Sequence, residues 1–308
     1  MTSTPRPTLF RLSRVDRAHD RALQRRHRAG ELHRLCPGVY LLRDDWDQLG
    51  EVERHLTRAR AIAPRLRVTS TFSHLTAALI LGWPLRGSAP ERVHVLDRAV
   101  TDVEHRAGLV RHVDRGDPAA RSTHFEGIPV TTALETAVAL ATTLPVTTAA
   151  IAVDGGVRRQ MLTVEEFVAA LPLGRARGSV RSRTVATALD PRHESPGESY
   201  TAIRLVELGA PQIVPQQEFR APSGHVDRVD FWIPSLGVVV EFDGRQKYVD
   251  PEMLGGRDPA DVLWQEKLRQ DRLTAHPEVR TVVRVTWWHL VELDRLRALF
   301  REHGVVFA

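Results

Sequence analysis

Residues 227–247 read DRVDFWIPSLGVVVEFDGRQK, two short apolar runs around a Pro-Ser-Leu-Gly turn. Val, Ile, Phe and Trp on both sides of such a turn specify a β-hairpin. With Pro234-Ser235-Leu236-Gly237 as the turn, a symmetric hairpin pairs residues whose numbers sum to 471. Asp230 then falls opposite Glu241, and Asp243 shares the face of Glu241 two residues on. A loop of odd length would instead turn Asp230 to the other face. Carboxylates opposed across a ladder, with Cβ atoms about 5 Å apart, repel each other. Such a pair needs a shared proton, a basic partner or a divalent cation.

Hard cations such as Mg²⁺ take a few carboxylates, a carbonyl and water. A cation so held polarises a phosphoryl oxygen and acidifies a bound water, which suits hydrolysis of a phosphodiester. A lysine close by stabilises developing charge or helps deprotonate the water. Lysine usage is selective here. Of 43 basic residues 41 are Arg, and the two lysines, Lys247 and Lys267, lie within or just after the acid-bearing hairpin. An ammonium differs from a guanidinium in having a pKa that burial can lower.

The elements around the hairpin are readable. Ser195 serves as an N-cap, Pro196 as the first helical residue, Glu198 as the N3 partner and Gly209 as the stop. VPQQEF, HVDRVDFWI and VVVEFDG read as three antiparallel strands. A polar loop at 248–260, a helix at 261–274, a strand RTVVRVTWW and a helix at 289–302 complete an αβββαβα order over residues 191–308. The fold class is α/β. Several acids and bases have a second, plainer reading. Glu198 fits a capping box, Arg228 can neutralise Asp227 or Glu241, and Asp243-Gly244 can be a turn. Lys267 and Asp271 stand i,i+4 on a helix surface. Trp287 and Trp288 read as core packing.

Ser195, Glu198, Gln216, Arg228-Val229-Asp230-Phe231, Glu241-Phe242-Asp243-Gly244, Glu266-Lys267, Asp271 and Arg284-Val285-Thr286-Trp287 together resemble the PD-(D/E)XK nuclease superfamily. Within it, they resemble the very-short-patch-repair (Vsr)-like endonucleases, over residues 194–295. The resemblance implies a restriction-endonuclease-like fold and DNA cleavage dependent on Mg²⁺ or Mn²⁺. It implies Asp230 and Glu241 as metal ligands, assisted by the Phe242 carbonyl, with Glu198 as a further acid. Gln216, Arg228 and Asp271 would support them. Asp243 stands where the superfamily usually has its catalytic lysine, so Lys247 or Lys267 would substitute. That departure keeps a second class open, a DNA-binding regulator whose nuclease domain has degenerated. A nuclease acting on RNA, within a toxin–antitoxin or phage-defence system, is a third.

The remaining charge is uneven. Residues 1–67 carry 15 Arg against 8 acids, whereas residues 191–308 carry 13 Arg and 2 Lys against 18 acids. The basic surplus points the N-terminal end at a polyanion. Residues 8–29 read as a helix with Arg21, Arg25, Arg26 and Arg28 on its later turns, and ELHRLCPGVYLL as a hairpin. Helix then hairpin describes a winged helix-turn-helix over residues 1–67. Arg28-Ala29-Gly30-Glu31-Leu32-His33-Arg34-Leu35, Pro37-Gly38-Val39-Tyr40 and Trp46 resemble the N-terminal domain of AbiEi-family antitoxins. This likeness implies DNA binding through those arginines and Arg34. It also implies a possible partner protein.

Residues 68–190 read as an α+β middle region, similar to the AbiEi continuation at SHLTAALILGWPL and GIPVTTALETAVAL. Helices are expected at 51–63, 70–81, 131–144 and 164–171, and strands at RVHVLD and LVRHV. His74, His94, His105, His112 and His124 do not repeat at a metal-ligand spacing and read as surface or satisfied core residues. Residues 171–183, LPLGRARGSVRSR, read as a basic loop or linker with polyanion affinity. One cysteine, Cys36, excludes an intrachain disulfide and suits a reducing compartment. No run approaches the roughly 20 apolar residues of a membrane span. MTSTPRPTLFRLSR lacks the apolar core of a signal peptide, so a cytoplasmic location is expected.

Overall fold

The computed structural model describes residues 6–13, 15–117, 120–121, 123–221, 224–244 and 259–307, the last range without side chains at 259–266. The chain divides into two compact units, residues 1–140 and 141–308. The boundary expected near residue 190 thus falls inside the second unit, where a helix at Val146–Arg158 packs against one at Pro196–Glu207. Among the described residues no helix is long and apolar enough to cross a membrane.

The first unit begins with a three-stranded antiparallel sheet: β1 (Phe10–Arg11), β2 (Leu32–Cys36) and β3 (Val39–Leu42), in the order β1-β3-β2. The expected hairpin is present. The expected helix at 8–29 is shorter, because residues 10–11 pair with Val39 and Tyr40. Asp16 then caps α1 (Arg17–Arg28), accepting the amides of Ala18 and His19 at 3.0 Å. A single helix therefore precedes the hairpin. α2 (Arg43–Gln48) and α3 (Glu51–Ile62) follow it.

A second sheet joins β4 (Ser70–Phe72), β5 (Val93–Asp97), β6 (Glu104–Arg106) and β7 (Leu109–Val113) in the order β4-β5-β7-β6, with β5 and β7 parallel. Residues 70–72, expected to open a helix, are strand, and α4 starts only at His74 (His74–Ile80). Ala59, Ile62, Phe72, Ala77, Val93, Val95, Leu109 and Val130 form the core beneath it. A short ribbon, β8 (His124–Phe125) and β9 (Ile128–Pro129), leads to α5 (Ala133–Thr143). Arg121, wholly buried, donates to Asp114, Glu135 and Thr71 and ties these parts together.

The second unit opens with α6 (Val146–Arg158), α7 (Val164–Ala169), α8 (Ser179–Thr187) and α9 (Pro196–Glu207). The basic stretch expected as a loop is thus helical from Ser179 onward. Next come β10 (Val214–Arg220), β11 (Val226–Ile233) and β12 (Val238–Phe242) as an antiparallel meander. A helix α10 (Pro259–Ala275) carries the chain to β13 (Thr281–Val285), which lies parallel to β12. α11 (Trp287–Val291) and α12 (Leu293–Glu302) replace the single last helix expected. The observed order follows the expected αβββαβα, and the sheet runs β10-β11-β12-β13. A mixed α/β fold is therefore present in both units.

Candidate active site at the mouth of the β11–β12 hairpin

The hairpin register is the one that the turn dictates. Pro234–Leu236 form a single 3-10 turn and Gly237 takes φ +64°, the left-handed region that favours glycine. Ile233 pairs with Val238, Trp232 with Val239 and Phe231 with Val240, all summing to 471. The ladder stops one rung short of Asp230 and Glu241. Opposite it, β13 places Arg284 beside Glu241 and Val285 beside Phe242.

Each acid has found its own partner. Asp230 accepts the Phe242 amide at 2.7 Å, which draws its carboxylate toward the end of β12. Glu241 is held by the guanidinium of Arg269 on α10, at 2.5 and 3.1 Å, a two-point charge-assisted contact. The same guanidinium donates to the Arg228 carbonyl, bridging β12 to β11. Asp227, buried on β11, is bound by Arg272 at 2.7 and 2.8 Å, and these hydrogen bonds hold its carboxyl below the usual range. Arg228 itself pairs with Glu194 at 2.8 Å, not with Asp227 or Glu241. Asp243 donates its amide to the Val285 carbonyl and is half-buried.

Glu198 is buried in the first turn of α9. Ser195 accepts the Glu198 amide and returns its hydroxyl to the carboxylate at 2.8 Å. The Glu194 amide and the Gln216 side-chain amide, each at 2.8 Å, complete the set. Gln216 adopts φ +54° inside β10. For a residue with a Cβ that conformation costs about 1–2 kcal/mol. The bend lets a strand residue turn its side chain to α9. Gln216 lies on the rung of Asp230, between the pairs Pro215–Phe231 and Gln217–Val229. The bonded pairs Glu198–Gln216 and Asp230–Phe242 therefore lie at one rung of the sheet as a cluster. Gly197 tightens it, since the Phe242 ring lies where a Cβ at Gly197 would be.

That contact makes a prediction. Ala in place of Gly in a helix ordinarily stabilises by up to about 1 kcal/mol. Gly197→Ala is expected to do the reverse, lowering stability by about 1–3 kcal/mol as the Phe242 ring is displaced. A thermal melt of the variant reads the sign, and an unchanged or raised midpoint would show that the ring yields freely.

Other expected residues lie elsewhere. Lys247 falls outside the described residues. Lys267 is exposed on α10, two residues before Arg269 and so about 200° around the helix from the guanidinium that reaches Glu241. Asp271 is exposed as well. Trp287 and Trp288 are not full core residues, being 45% and 58% exposed at the start of α11. Trp287 nonetheless packs edge-on against Phe242, with ring centroids 5.0 Å apart. Arg269 and Arg272 were missed in the sequence. Their signal was an i,i+3 arginine pair on the helix after an acid-rich hairpin.

In the first unit Arg21, Arg25, Arg28 and Arg34 are exposed, while Arg26 is engaged by Glu31 at 2.8 Å. Trp46 is an internal support, stacked on His33 and covered by Arg54 and Arg58.

Two clusters were not visible in the sequence. His94 Nδ1 lies 3.0 Å from His112 Nε2, and the His74 ring stacks on His112 with centroids 3.7 Å apart. The facing nitrogens of His94 and His112 are engaged with each other as a hydrogen-bonded pair. Among the described residues no group of His, Cys, Asp or Glu is arranged to hold a metal. In the second unit Asp154 Oδ2 accepts His193 Nδ1 at 3.0 Å and the Ser199 hydroxyl at 2.5 Å, all three buried. Serine and imidazole both serve the same carboxylate oxygen, so the imidazole is not placed as a base for the hydroxyl.

No family model matches the chain, and neither do any curated protein or solved structure. The chemistry of the site rests on its own residues. Asp230, Glu198 and the Phe242 carbonyl are oxygen donors of the type a hard divalent cation takes. Glu241 is of the same type, but both its oxygens face Arg269. A cation on Glu241 requires that ion pair to open.

Proposed function

We propose that residues 191–308 form a metal-dependent endonuclease of the PD-(D/E)XK, Vsr-like type that hydrolyses phosphodiester bonds in DNA. The observation that carries this reading is the cluster at one rung of the sheet, where Gln216 bonds Glu198 and Asp230 on the adjoining strand bonds the Phe242 amide. It brings acids from a helix and a strand, Glu198 and Asp230, to one end of a mixed sheet in αβββαβα order, with Gln216 held at a positive φ beside them. Asp230, Glu241 and the Phe242 carbonyl are the groups that would hold Mg²⁺ or Mn²⁺, which supplies Lewis acidity toward a phosphoryl oxygen. The Phe242 amide fixes the Asp230 carboxylate, and Gln216 fixes Glu198. Lys247 or Lys267 is the proposed base or charge stabiliser. Residues 1–67, with Arg21, Arg25, Arg28 and Arg34 exposed, are the proposed AbiEi-like, winged-helix-type DNA-binding segment.

One observation favours a second reading, a DNA-binding regulator with an inactive nuclease fold. Arg269 neutralises Glu241 without any metal. Plasmid nicking separates the two. Mg²⁺ or Mn²⁺ titrated into wild type should convert supercoiled plasmid to open circle, and Asp230→Ala with Glu241→Ala should abolish it, a drop of at least about 100-fold. Equal nicking by wild type and variant sinks the enzyme reading. No nicking, together with no calorimetric metal binding, favours the regulator.

A further inference from the structure

The loop before α8 and α8 itself form a strongly basic exposed surface of the second unit. From Leu171 to Leu189 the chain holds Arg175, Arg177, Arg181 and Arg183 and no acid. All four arginines are exposed. An open groove of about 680 Å³ is lined by Arg175, Arg181 and Arg183 with Ser179, Val180 and Thr184, among others, and no carboxylate lines it.

Several other arginines of this unit are matched to acids. Arg158 pairs with Asp154, Arg192 with Asp190, Arg204 with Glu207, Arg269 with Glu241, Arg272 with Asp227 and Arg297 with Asp294. None of the four arginines at 175–183 forms an ion pair with a described residue. Their backbone is nonetheless fixed. The Ser179 hydroxyl donates to the Gly174 carbonyl at 2.9 Å, closing the loop, and Arg181 anchors on the Thr142 carbonyl at 3.2 Å. α8 packs against α9, the helix that carries Glu198.

Four unneutralised guanidinium groups on a fixed scaffold repel one another, and a spaced polyanion relieves that repulsion. We propose that the segment 174–183 is a contact surface for the phosphate backbone of duplex DNA, separate from the N-terminal arginines. The inference rests on the endonuclease reading for its choice of DNA. It answers a difficulty of that reading, because residues 191–308 carry more acids than bases and need phosphate contacts from outside that span.

The test is equilibrium binding of the full chain to a DNA duplex, without metal, over about 50–200 mM NaCl. Each phosphate contact contributes about 0.9 to the slope of log Kobs against log salt. Changing Arg175, Arg177, Arg181 and Arg183 together to Gln should lower that slope by about 2–4 and weaken binding roughly tenfold or more at the middle of the range. The same four positions changed to Lys should retain binding, which controls for folding. Arg295→Gln with Arg297→Gln, removing paired arginines on α12, should leave the slope alone. An unchanged slope in the four-Gln variant overturns the proposal. So does a loss confined to RNA or to anionic lipid vesicles, with duplex binding intact. Because nicking is scored separately, a chain that binds through this surface yet never cleaves refutes the enzyme reading and keeps the surface.

Discussion

Asp154→Ala is expected to lower the stability of residues 141–308 by about 3–5 kcal/mol. Asp154 sits in α6 with its side chain almost fully buried, and four groups converge on it. His193 and the Ser199 hydroxyl bond Oδ2, the Asp190 amide bonds Oδ1, and Arg158 lies 3.6 Å away. Alanine leaves the imidazole and one amide without their acceptor, and leaves the Arg158 guanidinium with only the Ser199 hydroxyl at 3.4 Å. Each stranded donor costs about 1–3 kcal/mol in a site that water does not reach. Ser199 loses least, because its hydroxyl can still donate to the Ser195 carbonyl at 3.1 Å. The loss spreads to the candidate site, since Ser199 lies on α9 one residue after Glu198. Hydrogen exchange of α6 and α9 amides measures it. Protection lowered by less than about 1 kcal/mol would mean that the network is worth no more than an exposed pair such as Arg295–Glu292.

Acid should loosen the first unit well before carboxylates titrate. Burial, with the neighbouring imidazoles adding to it, holds His94 down at about 3 and His74 well below its usual value. Burial, followed by the charge of His105, holds His112 at about 4. His55, also buried and bonded to Thr76, is lowered for the same first reason. These residues are neutral in the folded chain at pH 6.5, whereas in the unfolded chain they begin to charge there. The unfolded state therefore binds more protons below pH 6.5, and stability falls as pH falls. It is fully present above about pH 6.5 and is lost down to the folded values near 3–4. Each histidine contributes up to about 1.4 kcal/mol per pH unit in that window. Half-buried His112 is screened by solvent, but His74 and His94 each lose up to about 2.7 kcal/mol, so the summed loss by pH 4.5 is on the order of 5 kcal/mol. Urea midpoints followed at β5 and β7 across pH 7 to about 4.5 check this. His94→Gln with His112→Gln should flatten the profile, and an unaltered slope in that variant would assign the acid sensitivity to carboxylates.

How far the sequence reached differs from residue to residue, for a consistent reason. The 471 register was legible because turn length and two-residue alternation fix it locally, within a dozen residues. The Ser195 cap, the reach of Glu198 to it and the stop at Gly209 were legible because they close within one helix. β1 was missed because Phe10 and Arg11 become strand only by pairing with Val39 and Tyr40, some thirty residues away. The strand at Ser70–Phe72 was missed likewise, its pairing with Val95–Asp97 being non-local.

The sequence alone determined that acids stand on a hairpin in register, inside an αβββαβα order. Only the tertiary structure decided what each acid faces. Which guanidinium meets Glu241 depends on the rotational phase of α10, set by its apolar packing through Leu273 against Trp232 and Val239. Gln216 bends its strand because α9 brings Glu198 within 2.8 Å. His74, His94 and His112 meet because α4, β5 and β7 fold onto one another, a contact that no spacing along the chain encodes. Registers and caps are short-range bargains of backbone geometry, while the charge environment of a site is a sum over neighbours distant in sequence.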